Sequence, residues 1–121
     1  MPTTFLHLVV LASPPSGRSV LAEMLRHLVA VLSALWAIAP SEPLQWRAAI
    51  ALELAVPRVA DREPVAMPDG GLASLHADLA GLLTALDFDA QGFGWWPELR
   101  TQLQLLLADL DAEIRFARQA S

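Results

Sequence analysis

Apolar positions recur with a helical period along most of this chain. Between Ser19 and Ala39 the large residues Leu21, Leu25, Leu28, Leu32 and Leu35 step by four, three, four and three, the spacing of one helix face. Ser19 suits the N-cap and Pro40 the stop. Within this helix, Leu28–Ala39 (LVAVLSALWAIA) has no charged side chain on any face. Such a stretch predicts burial on more than one side, in a central bundle helix or one shared with a second chain. Ala30, Ser33, Ala34 and Ala37 form a second stripe of small residues that would admit another backbone closely.

The same pattern predicts three more helices. One covers Pro43 to Val56, with Ser41 as cap and Glu42 and Pro43 in its first turn. Beyond that turn its only charges are Arg47 and Glu53, so it too is expected to be mostly buried. Another covers Leu72 to Leu86 through Leu72, Leu75, Leu79, Leu82, Leu83 and Leu86, with Asp87, Phe88 and Asp89 ending it. The last covers Pro97 to Arg118. There Leu99, Leu103, Leu106, Leu110, Ile114 and Ala117 form a continuous stripe, with polar residues opposite. Ahead of all four, Phe5–Ala12 is a short apolar run that reads as a helix or a strand. It is followed by the breaker SPPSGRS. Pro57–Gly71 is a loop with three Pro and two Gly, at the long end for a compact domain.

These segments predict a single all-α domain over residues 1–121, a four- or five-helix antiparallel bundle with a short N-terminal helix or arm. A lone strand at Phe5–Ala12 would have few partners for its ladder groups.

Composition narrows the function classes. The 121 residues are 55% apolar, with no Cys and a formal net charge of −5. Without Cys there is no disulfide, thiol nucleophile or thiolate metal site. The eight basic residues are all Arg and are scattered along the chain. Nucleic-acid binding needs a basic patch, so it is not expected. The apolar N-terminus lacks the preceding positive charge of a secretory signal. The longest charge-free run, about a dozen residues, falls short of the ~20 of a membrane span. A soluble, cytoplasmic protein is expected.

No catalytic pattern stands out. Glu23 and His27 share an i,i+4 spacing that could meet one metal, but di-iron bundles use Glu-x-x-His twice with two further Glu. The pair reads better as an exposed polar turn. His76 in SLHADLAGL could accept a phosphoryl group, but no Lys accompanies it, and a solvated face suits it better. His7 lies inside an apolar run and reads as buried or interfacial. No G-x-S-x-G elbow occurs. The carboxylates Asp87 with Asp89, and Asp109 with Asp111 and Glu113, sit at a helix end or on a polar side. No metal and no cofactor are predicted.

Read as strand, loop and helix, LVVLASPPSGRSVLAEML resembles the first phosphate-binding unit of the NAD(P)H-dependent flavin reductases. The resemblance implies a flavodoxin-like fold, with Ser13, Ser16, Gly17, Arg18 and Ser19 around a flavin phosphate at a helix N-terminus. It covers about a fifth of the chain, and no further strand–helix alternation follows Pro40.

The most unusual local feature is Phe88–Trp96, FDAQGFGWW, which holds two of the four Phe and two of the four Trp. Phe93, Trp95 and Trp96 are the candidate binding residues, because aromatics on a Gly-containing loop typify binding hot spots. The same residues could instead fold back as a plug over the end of the bundle.

The expected function is a non-enzymatic protein-interaction module of adaptor, accessory-subunit or inhibitor and immunity type, acting as a homo-oligomer. One alternative is a bundle carrier or enzyme holding an apolar small molecule in its core. The other is the flavin-type reductase that the resemblance implies.

Overall fold

In the computed structural model, which describes residues 20–59, 67, 68 and 70–120, the chain is all-α and mostly helical. Among the described residues there are four helices: α1 Val20–Ile38, α2 Glu42–Ala55, α3 Leu72–Asp89 and α4 Trp96–Ala120. A 3-10 turn, Val56–Arg58, extends α2 past its end. The predicted N-terminal element Phe5–Ala12 and the loop Ser13–Ser19 lie outside the described residues. Among the described residues there is no strand. The further strands that a flavodoxin-like fold would need are therefore missing from this part of the chain.

Local chemistry sets the helix ends. Ser41 caps α2 from an extended backbone, its hydroxyl accepting from the Leu44 amide, and Pro43 follows in the first turn. Gly70 enters α3 with φ +121°, a left-handed conformation that side chains avoid, and a Cβ there would lie 2.9 Å from the Ser74 Cβ. α3 runs one turn beyond the predicted end at Leu86. Asp87 is held from the neighbouring helix, Ala90 is buried, and the Ala90 amide still donates to the Leu86 carbonyl at 2.7 Å.

Each helix packs on two others: α1 on α2 and α3, and α4 on α2 and α3. One core fills the space between them. It holds Leu25, Leu28, Leu32 and Leu35 of α1, and Leu44, Ala48, Ala51 and Ala55 of α2. α3 adds Leu75, Leu79, Leu82 and Leu86, and α4 adds Leu99, Leu103, Leu106 and Leu110. Most positions of the predicted α1, α3 and α4 stripes are among them, whereas Leu21, Leu72 and Leu83 only pack against the core edge; the α2 face is not among the predicted stripes. The last stripe fades toward the C-terminus, where Ile114 is half-buried and Ala117 is exposed.

Two expectations need correcting. The α2 segment is not mostly buried. Leu44, Ala48, Ala51 and Ala55 make one narrow buried face, and Trp46 stands 67% exposed. Its core side is so rich in Ala that it needs little width. Nor is the polar turn of α1 exposed. Arg26 is only 6% exposed and is ion-paired with Glu23 one turn earlier. His27 is half-buried.

α1 meets the length and composition of a membrane-spanning helix, although Glu23 and Arg26 lie within it. Half of its most apolar window is buried against the rest of the chain. Its burial reaches both faces: Leu28, Val31 and Leu35 point into the core, while Ala30, nearly opposite Leu28, is also buried. The final turn differs, with Trp36, Ala37 and Ile38 exposed.

Candidate binding surfaces

The three predicted site residues occupy one end of the molecule, but they do not share one environment. Two successive turns between α3 and α4 place them. The Phe93 amide donates to the Ala90 carbonyl at 3.0 Å, and the Trp96 amide to the Phe93 carbonyl at 3.1 Å. Trp96 then starts α4 with its ring in the core, 3% exposed. Its indole Nε1 donates to Asp87 Oδ1 at 3.0 Å. A buried indole N–H needs an acceptor, and the α3 carboxylate supplies it. The Arg100 Nε lies 2.9 Å from the same oxygen, so one carboxylate ties α3 to the first turns of α4.

Trp95 packs edge-on against Trp96, with ring centroids 6.4 Å apart and planes at 88°. Its own ring is half-buried and joins the edge of the core. The Arg58 guanidinium sits over it at 5.7 Å, tying the turn after α2 to the start of α4. Phe93 stacks on Trp95 at 5.2 Å and remains 46% exposed. The trio is therefore graded from inside to outside. Trp96 is a core residue, Trp95 covers the core end, and Phe93 is the part open to contact. Phe88, four turns along α3, projects nearby and is 73% exposed. It borders a shallow cleft of about 620 Å³ between α3 and α4, lined also by Leu83, Asp87, Trp96 and Arg100.

The sequence pattern did not single out a second apolar surface, on the outer side of α2 and α4. These helices are joined by two polar ties. The Ser41 hydroxyl donates to Glu113 Oε2 at 2.8 Å, and Arg47 Nε donates to Asp109 Oδ2 at 2.9 Å. Outside those ties, Pro43, Trp46 and Ile50 follow one another on α2 at steps of three and four. With Glu42 and Arg47 they line a groove of about 390 Å³. On α4, Leu105, Ala112 and Phe116 are exposed and fall on the side of Asp109. Phe116 is 70% exposed. The available signal was the second stripe itself: each residue lies off the core stripe of its helix by about a third of a turn or more.

The polar candidates stay apart from these surfaces. His27 of α1 lies within electrostatic reach of Asp78 on α3. Burial holds its imidazole pKa below the usual value, and the Asp78 charge only partly offsets that. His76 is half-buried on α3. Among the described residues, no group of three or more His, Asp or Glu side chains is placed to hold a metal ion.

No family model matches the chain. No curated protein matches it. No solved structure matches it.

Proposed function

We propose that this chain is a soluble, cytoplasmic antiparallel four-helix bundle that works as a protein-interaction module, of adaptor, accessory-subunit or inhibitor type, and assembles with copies of itself. The short connections α1–α2 and α3–α4 favour antiparallel neighbours. Ser41 with Glu113 and Arg47 with Asp109 pair α2 and α4 in opposite sequence order.

The observation that carries the functional reading is a surplus of large apolar side chains. Every helix already contributes to a filled core, yet Trp46, Phe88 and Phe116 remain at least two-thirds exposed. Single exposed apolar residues are ordinary, but aromatics at this exposure are the side chains that anchor protein interfaces. Nothing in the core calls for them.

Native mass spectrometry of the purified chain tests this reading. An oligomer without bound small molecule supports it. A monomer across the micromolar range removes the self-assembly, and a stoichiometric co-purified apolar molecule favours a carrier instead.

A further inference from the structure

We infer that the outer face of α2 and α4 is the seam at which a second copy of this chain docks; the inference rests on the self-assembly reading above and names its surface. Both helices carry two apolar stripes, and the core uses only one of each. On α4 the core takes Leu99, Leu103, Leu106 and Leu110, which leaves Leu105, Ala112 and Phe116 outward at steps of seven and four. On α2 the core takes Leu44, Ala48, Ala51 and Ala55, which leaves Pro43, Trp46 and Ile50. Steps of three, four and seven are those of a helix that packs lengthwise on another helix.

The centre of the face is balanced in charge. Arg47 and Asp109 lie between the two stripes and neutralise each other at 2.9 Å. That pair adds no net charge at the middle of the face, and the acidic Glu42 and Glu113 lie toward its Phe116 end. A lipid surface would have to desolvate this ion pair together with Glu42, which lines the same groove.

Shape and area point the same way. The face carries both a projecting ring, Phe116, and a groove beside Pro43, Trp46 and Ile50. A two-fold axis through such a face lets the ring of each copy meet the groove of the other, the self-complementary arrangement of an isologous dimer. Trp46 and Phe116 of two copies would bury roughly 500 Å² of aromatic surface, about a third of the ~1,600 Å² of a standard stable interface. Ile50, Leu105, Pro43, Ala112 and the helix flanks would extend it.

The test is the solution mass by light scattering of the full chain at tens of micromolar, with circular dichroism as the folding control. The expected result is a dimer for the wild type and monomers for W46E and F116E at unchanged helicity. Each of these charges should weaken association at least ~100-fold, and W46A about tenfold. F88E, on the α3 side, should stay dimeric. If W46E and F116E remain dimers, or F88E alone dissociates the dimer, the seam is overturned while self-assembly stands. A monomeric wild type overturns both.

Discussion

Asp87 carries more of this structure than its exposed position in the sequence pattern suggests. It accepts from the Trp96 indole and faces the Arg100 guanidinium, so one carboxylate fixes the depth at which Trp96 enters the core. Trp96→Phe keeps most of the buried ring and loses the N–H donor. It is expected to cost about 0.5–1.5 kcal/mol in urea unfolding. Trp96→Ala also empties a buried site and is expected to cost about 3–5 kcal/mol. Near-equal losses for the two would mean that the ring itself is not seated in the core. The fully buried Leu106 and Leu110 are simpler cases, and each Leu→Ala change should cost about 2–5 kcal/mol. His27 makes its own contribution visible through pH. Its folded-state pKa is depressed by burial, so the unfolded chain binds the proton more readily. The stabilisation from keeping it neutral is complete above about pH 6.5 and is lost as pH falls toward the depressed folded value. His27→Gln should flatten that part of a stability–pH profile; an unchanged slope through this window would assign it to another group.

At the scale of the helices, end chemistry and propensity make predictions of opposite sign. Ser41 both caps α2 and reaches Glu113 of α4. Ser41→Ala is therefore expected to destabilise by about 1–2 kcal/mol, at the upper part of the range for a capping residue. Gly81 lies mid-α3 with nothing within 4 Å of where a Cβ would sit. Gly81→Ala should stabilise by about 0.5–1 kcal/mol, read as a higher urea midpoint. α1, α3 and α4 were legible because each stripe of Leu states both the period and the buried face. Leu75, Leu79, Leu82 and Leu86 are an example, all buried, while Leu72 and Leu83 of the same pattern are half-buried at the core edge. The extra turn of α3 was hidden because Asp87, Phe88 and Asp89 look like a stop, whereas the contacts of Asp87 with Trp96 and Arg100 and the burial of Ala90 favour it. The exposure of Trp46 was hidden for a related reason. Few charges on α2 suggested burial all round, but a core face made of Ala is narrow, and apolar residues beyond it have no helix of the described chain to meet. The division of Phe93, Trp95 and Trp96 into outer, covering and inner residues depends on the turn geometry, which composition does not reveal.

The whole molecule combines an ordinary core with an outside more apolar than the core requires. α1 reaches this balance internally, because its charge-poor stretch is buried on opposite sides through Leu28 and Ala30. α2 and α4 do not, because Trp46 and Phe116 stay exposed in a single chain. On the proposed reading a second copy covers them, and part of the folding stability then belongs to the assembly rather than to one subunit. Stability that depends on association responds to mass action, whereas stability held within a subunit does not. The most direct measurement is urea unfolding of the wild-type chain followed over a hundredfold range of protein concentration. A self-associating bundle predicts a midpoint that rises by roughly half a molar for each tenfold increase. Superimposable curves across the range would contradict the account.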